Sequence, residues 1–191
     1  MSQFEFLMII ASIFVAIAIT EIISWWGQLL RSDPYPPVSR IHLAWTILFV
    51  CNAVLYWSGF WPYRDIAIES YGQIWMLLLP TLFMILVGYA LTPSPTALAE
   101  HNGKYFDEKR KTIFIPWSVF ILLAVLADAA IVESPTLEGA VPGLVSMAVF
   151  VSLIFLSNPI INYVGLAFLF LLLFLVPILL GFEGGMEFFA N

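Results

Sequence analysis

The sequence predicts an all-α membrane protein, a polytopic bundle of about six transmembrane helices forming one domain over residues 1–191. Of its 191 residues, 62% are hydrophobic and only 10% are charged, and the mean hydropathy is +0.98. Soluble domains have about half apolar and about a quarter charged residues, so this apolar content far exceeds what a soluble core needs. The charged residues are concentrated in short segments between apolar stretches. We therefore expect an integral membrane protein without a nucleic-acid partner.

The first three spans are predicted at 4–30, 41–61 and 71–91. Each run exceeds the roughly 20 helical residues that cross a hydrocarbon core of about 30 Å. The first span lacks the basic region and cleavage site of a signal peptide, so we expect it in the mature protein. The run Asp33-Pro34-Tyr35-Pro36-Pro37 separates the first two spans, because its prolines cannot continue either helix.

The last three spans are predicted at 113–132, 141–156 and 160–182. The fifth span is short, and Ser157-Asn158-Pro159 after it predicts a tight turn. One unbroken helix over both final spans would overshoot the membrane by tens of Å. A fifth segment that crosses fully and one that is re-entrant both stay open.

The basic residues predict the orientation, because cytoplasmic loops carry an excess of Lys and Arg. Arg64 is the only basic residue on one side of the predicted bundle. We therefore expect the first and third loops in the cytoplasm and both termini on the outer side. The six basic residues of the predicted inner side are Arg31, Arg40, Lys104, Lys109, Arg110 and Lys111.

Tryptophan and tyrosine residues cluster at both predicted boundaries, where amphipathic rings commonly anchor helices. We interpret most of them as interfacial anchors. The outer group is Tyr56, Trp57, Trp61, Tyr63, Tyr71 and Trp75, and the inner group is Trp25, Trp26, Trp45 and Tyr89.

A row of small residues runs along the first span. Ser12, Ala16, Thr20 and Ser24 recur every four residues and so lie on one side of a helix. Small side chains let two backbones approach closely, which is how helices commonly pack in lipid. The row predicts that this helix packs inside a bundle through these residues.

A polar stripe lies beside that row, at Glu21, Ser24, Gln28 and Arg31. Glu21 lies ten residues before Arg31, which is about 15 Å by helical rise and places it near mid-membrane. Asn52 on the second span has a similar predicted depth and could hydrogen-bond Glu21. Ionisable groups inside spans are costly, so they are functional candidates by default. Glu21 is either a proton- or cation-handling carboxyl or an interhelical hydrogen-bond partner that fixes register.

Two further residues are candidates. Asp128 lies seventeen residues after Lys111, near the predicted outer interface, as a second intramembrane carboxyl or as a carboxylate in contact with water. His42 opens the second span and could titrate, gate a pore or ligate one pigment metal, or simply hydrogen-bond at the boundary. Cys51 is the only cysteine, which excludes an intrachain disulfide.

No catalytic constellation or metal-ligand pattern can be assembled from the sequence. We therefore expect neither an enzyme nor a cofactor.

The layout resembles a family of small bacterial multi-pass membrane proteins that has no established activity. The matching features are His42-Leu43-Ala44-Trp45 opening the second span, Trp57 and Trp61 closing it before Arg64-Asp65, and the segment 105–111 before the fourth. The resemblance implies a location in the bacterial inner membrane and nothing about substrate.

The sequence favours an oligomeric channel or transporter that passes a proton, cation or small polar solute along the Glu21 stripe. The alternative is a non-catalytic accessory or assembly subunit of a larger membrane complex. The expected partners are membrane lipids together with further copies of the chain or other subunits.

Overall fold

A computed structural model of the chain describes residues 3–66, 70–131, 137–156 and 158–179. These residues form helices and no strand, which confirms the all-α class. The longer helices are α1 (Gln3–Arg31), α2 (Arg40–Ser58), α3 (Tyr71–Leu91), α6 (Arg110–Ile131), α7 (Leu137–Phe155) and α8 (Pro159–Leu179). The shorter ones are α4 (Pro95–Glu100), α5 (Tyr105–Glu108) and the 3-10 segment Trp61–Asp65.

Serine residues set the starts of three helices. Ser39 caps α2 by accepting a hydrogen bond from the backbone N–H of His42, and Ser94 caps α4 in the same way. Ser70 and Gln73 form a reciprocal capping box at the start of α3. These caps satisfy backbone donors that have no partner within the first helical turn.

The six longer helices form a closed ring of neighbours. Going around it, α1 contacts α3, α3 contacts α6, and then α7, α8 and α2 follow before the ring returns to α1. The backbones of α1 and α3 come close together at Ala18 and Gly88, where a side-chain carbon on Gly88 would lie 3.2 Å from the Ala18 carbonyl oxygen. Only glycine permits this separation without movement of a backbone.

Aromatic side chains fill the space between α2, α6 and α7. Trp45 is fully buried and its ring centroid lies 4.9 Å from that of Phe114 and 5.6 Å from that of Trp117. Phe150 of α7 stacks on Trp117 at 4.8 Å, and Phe49 meets Trp117 edge-on. The interior of the helix ring is therefore packed with large aromatic side chains in offset and edge-to-face contact.

Four helices, α1, α2, α3 and α6, are long and apolar enough to cross a membrane. By length and composition these helices are compatible with a multi-pass membrane protein. In α7 and α8 the described apolar stretches, Ala140–Phe155 and Ile160–Phe174, are shorter. Six spans, and both termini on the outer side, stay predictions, and the last residues of the predicted sixth span, 180–182, lie outside the described residues.

The face of α1 that packs inside the bundle differs from the predicted one. In this row Ala16 and Thr20 are exposed, whereas Ser12 is partly buried and its hydroxyl oxygen accepts a hydrogen bond from the Trp57 indole N–H of α2 at 2.8 Å. Small size shows that close approach is possible but does not select the face, and apolar burial selected the adjacent one. Close packing of another helix backbone along the whole row stays a prediction. The buried residues of α1 are Leu7, Ala11, Val15, Ala18, Ile22, Trp25 and Leu29.

Candidate functional site

The clearest polar arrangement in the structure closes the end of α3. Trp25 of α1 donates its indole N–H to the carbonyl oxygen of Pro93 at 2.7 Å, in a buried position. His42 of α2 lies 2.8 Å from the carbonyl oxygen of Leu91 through Nε2, also buried. A carbonyl can only accept, so Nε2 carries the hydrogen. These bonds satisfy carbonyl groups at a helix end, where the helix itself offers no donor.

The His42 ring lies among other aromatic rings. It is 1% exposed and stacks on Tyr105 at 5.8 Å between centroids, with Trp25 at 5.0 Å and Phe106 at 5.6 Å. The ring therefore joins α1, α2 and α5 to the end of α3. This geometry fits the interpretation of His42 as a hydrogen-bonding group at the boundary.

Glu21 belongs to the same end of α3. It is partly buried, and its Oε1 lies 3.3 Å from the hydroxyl of Thr92, the residue after α3. The Thr92 hydroxyl oxygen lies closer to the Gly88 carbonyl oxygen, at 3.0 Å, and has only one hydrogen to donate, so the bond to Glu21 is the weaker one. Glu21 thus lies level with the end of α3 and not with its middle.

The predicted hydrogen bond between Asn52 and Glu21 is wrong. The partner of Glu21 is Thr92, and Asn52 Oδ1 is buried without any hydrogen-bond partner. Asn52 instead lines a small cavity with residues of α6, α7 and α8, including Trp117 and Ser146. Depth counted along a helix gives the level of a residue but not the direction in which it faces, which explains the error.

The rest of the polar stripe faces outward. Ser24 and Gln28 are exposed on α1, one and two turns beyond Glu21. Arg31 bonds back to its own helix, since its Nε donates to the Gly27 carbonyl oxygen at 3.0 Å. The stripe is therefore on the outside of the chain, and within the chain no neighbouring helix buries Ser24 or Gln28.

Asp128 lies far from these residues, beside the 3-10 segment. It is partly buried and accepts a hydrogen bond from the Tyr63 hydroxyl at 2.8 Å. Burial, reinforced by this bond and by the charge of Asp128, raises the pKa of the Tyr63 hydroxyl above its usual range. The pair fastens the segment after α2 to the far end of α6.

The predicted site residues thus occupy separate places. Glu21 and His42 lie at the end of α3. Asn52 lies at the cavity that α6, α7 and α8 also line, and Asp128 lies against Tyr63. Among the described residues, no group of three or more His, Cys, Asp or Glu side chains is placed to hold a metal ion.

Sequence reasoning missed Trp25 and Thr92 as site residues. Trp25 shares the buried face of α1 with Ile22 and Leu29, at a spacing of three and four residues. That spacing was a signal that the indole lies inside the bundle and needs an acceptor there. Thr92-Pro93, directly after an apolar span, similarly signals a helix end with free carbonyl groups.

No family model, curated protein or solved structure matches this chain. The resemblance to a family of small bacterial membrane proteins therefore stays a prediction, and the geometry alone carries the functional argument.

Proposed function

We propose that the protein is a non-catalytic membrane subunit that works as part of a larger membrane assembly. One observation carries the proposal: aromatic side chains fill the interior of the helix ring. Trp45, Trp117, Phe114 and Phe150 are each at most 3% exposed. A solute path through one chain requires polar, hydrated space inside the ring of helices. Stacked aromatic side chains occupy that space.

The hydrogen bonds of the polar side chains also support this proposal. Trp25 and His42 bond to backbone carbonyl groups at the end of α3, and Tyr63 bonds to Asp128. Each of these bonds joins two segments of the chain. Their common effect is to fix how helices pack, which suits a subunit whose role is to hold a defined shape in the membrane.

The outer surface offers large apolar area to lipid or to a partner subunit. Exposed side chains occur on every longer helix, including Ile13 on α1, Trp75 on α3 and Phe155 on α7. Lipid can cover such side chains without a partner. The polar residues on the outward face of α1 are the ones for which a neighbouring subunit is the better cover.

A second candidate is a channel or transporter formed between copies of the chain. The observation that favours it is the outward position of Ser24 and Gln28, with Glu21 partly exposed above them. Two or more copies that bring these faces together would line a path between chains, as closed oligomers commonly do. The passing solute in this candidate is a proton, a cation or a small polar molecule.

Two measurements separate the candidates. Native mass spectrometry in mild detergent, after extraction from the native membrane, gives the composition of the assembly. Flux of protons and cations into liposomes is then measured for the wild type and for Glu21→Gln. Glu100→Gln is the matched control, because Glu100 is an exposed carboxylate on the short helix α4.

The proposal expects a complex with a different subunit in fixed stoichiometry, and flux equal to that of protein-free liposomes. A homo-oligomer with flux that is lost in Glu21→Gln and kept in Glu100→Gln would refute it and establish the channel. The same homo-oligomer without flux would refute both the channel and the hetero-assembly.

A further inference from the structure

The seam between α2, α6, α7 and α8 contains a small cavity. Its volume is about 10 Å³, and residues from all four helices line it. About this much space accommodates one water molecule, provided that two to four polar groups surround it. The polar side chains of the lining are Asn52, Trp117 and Ser146, and the other lining residues are apolar.

The three polar groups match the bonding capacity of a water molecule. The indole N–H of Trp117 is a donor and Asn52 Oδ1 is an acceptor, and both are buried without a partner. Ser146 donates its hydroxyl hydrogen to the carbonyl oxygen of Pro142 at 2.8 Å, which leaves its oxygen free to accept. The lining thus provides one hydrogen-bond donor and two acceptors. A water molecule can accept a hydrogen bond from the donor and donate one to each acceptor.

Polar atoms without partners concentrate in this seam. Among the described residues, six buried side-chain atoms have no hydrogen-bond partner, and five of them belong to Trp45, Asn52, Trp117 and Asn162 of α2, α6 and α8. Asn162 is 1% exposed and both of its amide atoms are in this group. At the end of α3, by contrast, the buried Trp25 and His42 side chains bond to carbonyl groups. Buried polar groups are rarely left unpaired, so the contrast points to a hydrated seam.

We propose that one water molecule is a fixed part of this seam, bound by Trp117, Asn52 and Ser146. It accepts from the Trp117 indole and donates to Asn52 Oδ1 and to the Ser146 oxygen. The water joins α6, α2 and α7 where no direct side-chain bond does. This assignment is independent of the proposed function, since a packed subunit and a channel between copies can both contain it.

The direct test is magnetisation transfer from water to indole N–H groups in protein labelled with ¹⁵N-tryptophan in detergent micelles. Trp117→Phe identifies the Trp117 signal by its disappearance. We expect a cross-peak between water and the Trp117 N–H and none for Trp25, whose N–H is bonded to Pro93. A Trp117 signal without a water cross-peak would overturn the assignment.

The thermal stability of Asn52→Leu gives a second test, because its sign depends on the water. With the water bound, Leu removes an acceptor and expels the molecule, so the midpoint of thermal unfolding falls by about 3–8 °C for a chain of this size. Without it, Leu removes an unpaired polar atom from an apolar seam and the midpoint rises. Ser146→Ala removes only the second acceptor, so a smaller decrease is expected. A rise in Asn52→Leu would refute the bound water.

Discussion

The bond from Trp25 to Pro93 gives the sharpest test of how the end of α3 is held. Trp25→Phe keeps an aromatic ring against His42, whose centroid lies 5.0 Å from that of Trp25, and removes only the N–H donor and part of the ring. The Pro93 carbonyl then loses a buried donor at 2.7 Å. An unpaired buried carbonyl costs about 1–3 kcal/mol, and measured interhelical hydrogen bonds in membranes contribute up to about 1.7 kcal/mol. We expect a loss of about 1–2 kcal/mol.

Thermal unfolding in detergent measures this loss. A change of 1 kcal/mol shifts the midpoint by about 2–4 °C in a chain of 150–250 residues, so Trp25→Phe should lower it by about 2–8 °C. Trp75→Phe is the matched control, because Trp75 is 58% exposed on α3 and should change stability by less than about 0.5 kcal/mol. If the two variants unfold at the same temperature, the bond does not stabilise the end of α3 and the reasoning fails.

Two further predictions concern the helix crossing and the 3-10 segment. Gly88→Val should destabilise the protein by about 1–3 kcal/mol, since even the first side-chain carbon would lie 3.2 Å from the Ala18 carbonyl oxygen. Gly27→Val is the control, because the nearest atom there is the flexible end of the Arg31 side chain at 3.6 Å. It should lower the stability by less than half as much in the same thermal unfolding assay. Because the pKa of the Tyr63 hydroxyl is higher in the folded protein than in the unfolded chain, this group contributes stability below the unfolded tyrosine pKa of about 10. The contribution is lost as the pH rises above that value. Tyr63→Phe should therefore flatten the fall in stability above pH 10, and an unchanged alkaline profile would show that the pKa of the Tyr63 hydroxyl is not raised in the folded protein.

The position of Glu21 shows how far sequence reasoning reached at the candidate site. Its place on a long apolar helix followed from the sequence, because apolar length alone predicts a span. Its neighbour did not follow, because the partner is Thr92, seventy-one residues away along the chain. The predicted partner, Asn52, has a similar depth only by residue count along its helix, and it lines a different part of the bundle.

Trp45 illustrates the same limit for the aromatic residues. A tryptophan near a membrane boundary suits an interfacial anchor, and the exposed Trp57, Trp61 and Trp75 agree with that interpretation. Trp25 and Trp45, however, are buried, and Trp45 lies at the centre of the aromatic interior. The same amphipathic ring suits both environments, so residue type could not distinguish them.

By itself, the sequence determined the class of protein and the approximate bounds of its apolar helices. A helix in a membrane must be apolar over the thickness of the hydrocarbon core, whichever neighbours it packs against. The tertiary structure alone decided which face of α1 is buried, which carbonyl groups Trp25 and His42 close, and where Asn52 lies. These outcomes depend on contacts between residues far apart in the chain. Helical periodicity shows which residues share a face, but tertiary packing decides which face is buried.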